Sequence, residues 1–136
     1  MTNCELILGA AELVRPHKVG DRLFGDVASV LVSASGATHR GVCIDTGGNG
    51  FCAEQAAIGA MVTTGEYRVK EIVAVWKDET GSIYVLPPCG SCREFIRSID
   101  PDNLNTEIVL GVEDRRPLRE LLPYHEWPAP TPAESL

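Results

Sequence analysis

The stretch PPCGSC, residues 87–92, places two cysteines three positions apart directly after two prolines. A Cys-x-x-Cys pair of this kind fits a redox dithiol, half of a structural zinc site, or part of a catalytic metal site. Each kind of site belongs to a different fold and a different chemistry. The rest of the chain therefore has to distinguish between them.

The composition is that of one globular domain. The chain has 136 residues, of which 44% are hydrophobic and 23% are charged, and it contains no apolar stretch long enough for a transmembrane helix. We expect a single domain over residues 1–127 and an irregular tail over 128–136, where prolines and small residues are frequent. The opening residues lack a basic leader, so we expect a cytoplasmic protein that has no membrane partner.

The charge of the chain argues against a nucleic-acid partner. The formal net charge is −7, and no cluster of Lys and Arg stands out. Proteins that bind nucleic acid polymers usually neutralise phosphates with basic side chains. A small-molecule substrate is the better expectation.

Hydrophobic patterning predicts the element order α, β, β, α, β, β, α, β, α, which suggests a sheet with helices on both faces. Trp76 falls inside an apolar strand, where core packing is expected. The predicted helices cover residues 5–15, 51–65, 89–100 and 116–127, and the predicted strands lie within 26–36, 39–45, 70–88 (two strands joined by a turn) and 106–112.

Three of the five cysteines fall at predicted helix starts. Cys52 opens the second helix, and Cys89 and Cys92 open the third. Helix N-termini carry free N–H groups and a partial positive charge, which favour thiolates. Three potential thiolates at two helix starts indicate a metal site.

The alternatives explain fewer residues. A redox dithiol leaves Cys52 and Glu54 without a role. A closed structural zinc site needs a fourth ligand, which Cys43 could supply, but the strand pattern around Cys43 suggests a separate role. A catalytic metal site needs three ligands, an open position and a nearby acid or base, and Glu54 lies two residues after Cys52. The catalytic interpretation is therefore favoured.

The motif order identifies a resemblance. Cys-Ala-Glu at 52–54, followed by Pro-Cys-Gly-Ser-Cys at 88–92, resembles the cytidine deaminase superfamily, specifically its small three-cysteine zinc enzymes. VASVLV (27–32), GGNGFCAE (47–54) and RELLPYHEW (119–127) extend the resemblance, which is strongest to the blasticidin S deaminases. It implies a three-layer α/β/α sandwich with a mixed five-stranded sheet, a Zn²⁺ cofactor and a homotetramer.

The resemblance also implies an activity. Cys52, Cys89 and Cys92 would hold Zn²⁺, and Glu54 would transfer protons while a cytosine nucleoside or related aminopyrimidine analogue loses its exocyclic amine. Two alternatives stay open. One is ordinary cytidine and deoxycytidine deamination in pyrimidine salvage, and the other is an inactive, zinc-stabilised binding protein.

The chain departs from its relatives in the charge around the cluster. Three thiolates on Zn²⁺ leave a net charge of −1, which relatives offset with an arginine. This chain has Gln55 and Ser91 at those positions. Arg93 is then the remaining candidate for charge compensation, assisted by the two helix N-termini.

The expected substrate contacts depart as well. Relatives contact a sugar through Asn and Glu at the positions of Cys43 and Asp45. Asp45 can still accept a hydrogen bond, whereas Cys43 is either a weak substrate contact or a buried thiol that fills space. Asp26 and Asp45 together predict an acidic pocket mouth. Phe24 or Trp127 would supply a stacking surface for the heterocycle, and Ala53 is a further expected substrate contact.

Overall fold

The computed structural model describes residues 1–126 and 131–134. Trp127 therefore lies outside the described residues, and the predicted tail over 128–136 lies only partly within them. The helices are α1 (Asn3–Ala11), α2 (Ala53–Thr63), α3 (Gly90–Ile99) and α4 (Leu118–Leu121), with a 3₁₀ turn at Pro101–Asn105. The strands are β1 (His17–Val19), β2 (Arg22–Phe24), β3 (Val27–Ser33), β4 (Thr38–Val42), β5 (Val69–Lys77), β6 (Ile83–Leu86), β7 (Glu107–Gly111) and β8 (Asp114–Pro117).

Strand β5 is the centre of a six-stranded mixed sheet. The sheet order is β4-β3-β5-β7-β8, and β6 also pairs with β5. Strands β3 and β6 run antiparallel to β5, whereas β7 runs parallel to it. Strand β6 pairs with the second half of β5 and β7 with the first half, so both lie on the same side of β5, opposite β3. The chain enters α3 directly after β6.

The two faces of the sheet bury two separate cores, as the alternation of side chains along a strand requires. Val30, Val32 and Val73 pack against α1, whereas Leu31 and Ile72 belong to the cluster that includes residues of α2 and α3. The result is a helix–sheet–helix sandwich. The predicted three-layer α/β fold is confirmed.

Gly41 lets α2 lie directly on β4. A Cβ atom at this position would stand 2.4 Å from the backbone nitrogen of Ala57 and 2.7 Å from the carbonyl oxygen of Ala53. Separations this short are not tolerated between real atoms, so only glycine permits the contact. The close approach positions the start of α2, which carries Cys52 and Glu54.

The structure differs from the sequence prediction in four places. The main sheet has six strands rather than five, because β8 forms a hairpin with β7. Short strands β1 and β2 make a second, two-stranded sheet that the prediction missed. The first helix ends at Ala11 rather than at residue 15. The last helix covers only Leu118–Leu121 rather than 116–127, because residues 116 and 117 belong to β8.

The expectation that Trp76 packs in the core is wrong. Its side chain is 38% exposed, and its ring lies 5.4 Å from that of Tyr84 on the neighbouring strand. An aromatic pair across two strands can stabilise a sheet from its solvent side, since such pairs contribute beyond simple burial. Hydrophobic patterning cannot distinguish this arrangement from core packing.

The described helices are short. The longest, α2, has 11 residues, and no helix of the described residues is long and apolar enough to cross a bilayer.

Replacing Gly41 by Ala should destabilise the protein and disturb the start of α2. We expect a loss of about 1–3 kcal/mol in the free energy of unfolding, because the added methyl group forces α2 away from β4. Urea unfolding measures this change. Gly59→Ala is the matched control, since the Cβ position on the outer side of the same helix is open. It should leave stability unchanged or raise it by up to about 1 kcal/mol. Equal effects of the two substitutions would contradict the close-packing argument.

Candidate functional site

The starts of α2 and α3 meet beside β5 and β6 and bring three cysteines together. Cys52 is the N-cap residue of α2, Cys89 is the N-cap residue of α3, and Cys92 lies in the first turn of α3. Their sulfur atoms all lie within 4.8 Å of one another. Among the described residues, no other group of three potential ligands is this compact. The cluster that the sequence predicted therefore forms.

The donor set and spacing fit a tetrahedral zinc ion. In such a site, Zn–S bonds of about 2.3 Å place two sulfur atoms about 3.8 Å apart. The Sγ atoms of Cys52 and Cys89 are 3.8 Å apart. Thiolate sulfur is a soft donor that favours zinc over magnesium or calcium. Three sulfur ligands also leave one position of a four-coordinate ion for water or substrate.

The three thiols differ in environment. Burial raises the pKa of the Cys92 thiol, and the charge of Glu54 adds to this. Burial likewise raises the pKa of the Cys52 thiol. At Cys89 burial acts in the same direction, but hydrogen bonds from the Cys92 backbone and from the neighbouring thiols outweigh it, so the pKa is lowered. A bound cation would lower the pKa of both Cys52 and Cys92, because thiols that ligate a metal are deprotonated.

Gln55 supplies the polar contact to the cluster. Its Nε2 donates to Ser91 Oγ at 3.3 Å and approaches Cys92 Sγ at 3.8 Å. An amide carries no net charge, so this contact polarises the sulfur without neutralising a thiolate. From the sequence, Gln55 and Ser91 were noted only as departures from relatives. The hydrogen bond between them was not predicted.

Arg93 has a different set of partners from those expected. Its Nε donates to the carbonyl oxygen of Pro88 at 2.8 Å, and its Nη1 donates to that of Leu121 at 3.0 Å. The predicted charge compensation by Arg93 therefore rests on no direct contact with a sulfur atom among the described residues. The two bonds instead tie the loop before Cys89 to the end of α4.

A cavity of about 170 Å³ opens beside the cluster. Its polar side chains are those of Cys43, Cys52, Cys89 and Glu54, and its apolar lining comes from Val27, Ala53, Ala74, Leu86 and Pro87. Glu54 is only 6% exposed, and burial raises its pKa. A buried carboxyl group thus shares one cavity with two of the three thiols. The apolar lining residues were not identified from the sequence. Ala74, a small residue within a run of larger ones in β5, could have indicated a cavity beside that strand.

Of the five predicted substrate contacts within the described residues, two line this cavity, and Phe24, Asp26 and Asp45 do not. Ala53 and Cys43 line it. Asp26 is half-buried and accepts a hydrogen bond from Cys43 Sγ at 2.8 Å. Asp45 is exposed, accepts a bond from the backbone of Gly47, and is not among the described residues that line the cavity. Trp127 lies outside the described residues.

Comparison with curated proteins finds a partial relative. No protein-family model matches the chain. Blasticidin-S deaminase from Bacillus cereus is 40% identical over 76 residues, which amount to 53% of this chain. The matched region spans about half of that protein, or 54% of its length.

Comparison with solved structures extends over nearly the whole chain. A mutant cytidine deaminase from Mycobacterium tuberculosis matches with a TM-score of 0.73 and 25% identity, covering 91% of this chain and 97% of that protein. The cytidine deaminase from the same organism matches with a TM-score of 0.71 and 27% identity over 89% and 94% of the two chains. The cytidine deaminase from Bacillus anthracis, at 20% identity and a TM-score of 0.71, shares the fold over 92% of this chain and 89% of that protein.

Removing any one of the three clustered thiols should abolish stoichiometric metal binding. Ser in place of Cys52, Cys89 or Cys92 leaves two thiolates, too few to hold a tetrahedral ion against a chelator. The measurement is zinc per chain after dialysis against a mild chelator. Cys4→Ser is the control, because Cys4 is exposed on α1 and does not belong to the cluster. Retention of one zinc by all three variants would contradict the assignment.

Proposed function

We propose that the chain is a zinc-dependent hydrolase of the cytidine deaminase superfamily that acts on an exocyclic amine. The substrate would be a cytosine nucleoside or a related aminopyrimidine analogue of the blasticidin S type. The reaction adds water at the ring carbon and releases ammonia, leaving a carbonyl. The observation that carries this proposal is the buried Glu54 carboxyl group on the same cavity as Cys52 and Cys89.

We assign the metal to the three cysteines. Cys52, Cys89 and Cys92 would bind Zn²⁺, which would supply Lewis acidity and lower the pKa of water so that water attacks at neutral pH. The helix N-termini at Cys52 and Cys89 favour the thiolate forms of these ligands. Gln55 orients Cys92 through its amide, and Arg93 holds the backbone just before Cys89.

Glu54 would move the protons of the reaction. Its position in the first turn of α2 keeps the carboxyl group at the cavity and away from bulk solvent. The carboxylate takes a proton from the attacking water and delivers it to the ring nitrogen. It then assists protonation of the departing amine, which leaves as ammonia. Proton transfer by a positioned side chain contributes about 10²–10⁴ in rate.

The cavity suits a flat ring. Apolar side chains from Val27, Ala74, Leu86 and Pro87 line a space of about 170 Å³, which limits the part of the substrate inside it to a small heterocycle. An aminopyrimidine meets this limit. The partial relative supports a blasticidin S-like substrate, whereas the structural relatives support ordinary cytidine or deoxycytidine deamination, so both belong in the first test.

The remaining features are part of the same proposal. A single deaminase domain over residues 1–127 would act on a small molecule in the cytoplasm as a homotetramer, with 128–136 as an irregular tail. Asp26, Asp45 and Trp127 would contribute to the entrance of the pocket. A net charge of −7 argues against nucleic acid polymers as substrates.

An inactive zinc-stabilised binding protein is the competing function. A purely structural zinc site is closed by four protein ligands, and the described residues supply a cluster of three. It also has no use for a carboxyl group buried in the adjacent cavity, because burying such a group costs free energy. The position of Glu54 therefore favours an enzyme.

Glu54→Gln should remove turnover and keep the metal. The amide is nearly the same size but cannot carry protons, so we expect ammonia release to fall by at least about 10²-fold. The assay follows ammonia release by zinc-loaded protein from cytidine, deoxycytidine, cytosine and blasticidin S. The matched control is Glu79→Gln, which changes an exposed glutamate in the turn between β5 and β6.

Turnover of one compound by the parent and by Glu79→Gln, but not by Glu54→Gln, would support the enzyme and name its substrate. Turnover that survives Glu54→Gln at full rate would show that the carboxyl group has no part in the reaction. Absence of zinc from the purified parent protein after reconstitution would overturn the metal assignment.

A further inference from the structure

Cys43 stands on the cavity wall with all of its hydrogen-bonding groups already engaged. Its backbone N–H donates to the carbonyl oxygen of Val27 at 3.0 Å, and its own carbonyl oxygen accepts from Gly25 at 3.2 Å. The thiol donates to Asp26 Oδ1 at 2.8 Å. What Cys43 offers to the cavity is therefore its sulfur lone pairs, which are weak acceptors.

The side chains around Cys43 add little polarity. Val27, Ala74, Leu86 and Pro87 line the same cavity, and the remaining polar side chains there are Glu54 and the thiols of the cluster. Glu54 and the cluster are committed to the reaction under the proposed function. A hydroxyl group buried against the Cys43 wall would lose its water and gain no strong partner.

We propose that Cys43 is a specificity-determining residue that favours substrates without a hydroxyl group at this wall, and that Asp26 is the residue that positions its thiol. The inference rests on the proposed function and narrows it. The favoured substrate class is an aminopyrimidine whose substituent is apolar or deoxygenated where it meets Cys43. Burial, reinforced by the bond to Asp26, raises the pKa of the Cys43 thiol, which keeps the donated proton in place at neutral pH.

The test compares two ligands that differ only in their hydroxyl groups. Cytidine and 2′,3′-dideoxycytidine are titrated into zinc-loaded Glu54→Gln protein, so that binding is measured without turnover. We expect the dideoxy compound to bind more tightly by about 10-fold, and by no more than about 100-fold, because an apolar wall rejects an added hydroxyl only modestly. The readout is the ratio of the two dissociation constants, which a general loss of stability does not change.

Two substitutions of nearly equal size separate hydrogen bonding from packing. Cys43→Ser provides an oxygen acceptor and should lower the preference for the dideoxy compound by about tenfold. Cys43→Ala provides no acceptor and should keep the preference. Asp26→Ala removes the acceptor of the thiol proton, which can then point into the cavity. The preference for the dideoxy compound should fall by less than in Cys43→Ser. If Asp26 only stabilised the fold, the ratio of the two dissociation constants would not change.

The outcomes distinguish this inference from the proposed function. Tighter binding of cytidine than of the dideoxy compound, or identical ratios in Cys43→Ser and Cys43→Ala, would overturn the role of Cys43. If ammonia release from cytidine were seen together with that result, the proposed function would stand alone. Failure of both nucleosides to bind, with no ammonia release from any compound of the panel, would overturn both.

Discussion

The contact between three cysteine sulfur atoms is the constraint on which the rest of the structure depends. Thiols within 4.8 Å of one another repel as thiolates and lose hydration, so the fold must hold them in place. It does so by starting α2 and α3 side by side, after the loops that follow β4 and β6. Gly41 sets how closely α2 lies on β4, and Arg93 ties the loop before Cys89 to α4.

The electrostatics of the cluster follow from what surrounds it. Two helix N-termini direct partial positive charge at Cys52 and Cys89, and the Gln55 amide approaches Cys92. No lysine or arginine within the described part of the chain donates a hydrogen bond to these sulfur atoms. Dipoles fall off within a turn and replace a full charge only in part. A zinc ion bound by these cysteines would keep more of the negative charge of its ligands than one beside an arginine, and it would therefore be a weaker Lewis acid.

The apolar lining of the cavity would offset part of this weakness. Apolar side chains surround Glu54, so charges and dipoles inside act on one another more strongly than in solvent. The same apolar walls carry a cost for polar substrates, because each buried hydroxyl needs a partner. Under the proposed function, one set of residues would therefore supply both the catalytic environment and the selectivity. Cys43 belongs to this set, and its own hydrogen bonds are already satisfied.

The sequence by itself determined which three cysteines cluster and the class of fold. Motif spacing identified Cys52, Cys89, Cys92 and Glu54. The order of the predicted helices and strands suggested a sheet with helices on both faces, and the family resemblance implied the three-layer sandwich. Hairpin β1–β2 and strand β8 were not predicted, because strands of three or four residues are too short to show an alternation of apolar and polar side chains. Only the tertiary structure decided the partners of Arg93, the exposure of Trp76, and the bond between Cys43 and Asp26. Those contacts join residues that are distant in sequence or on neighbouring strands, and a local pattern does not encode which polar groups the packed chain brings within hydrogen-bond distance.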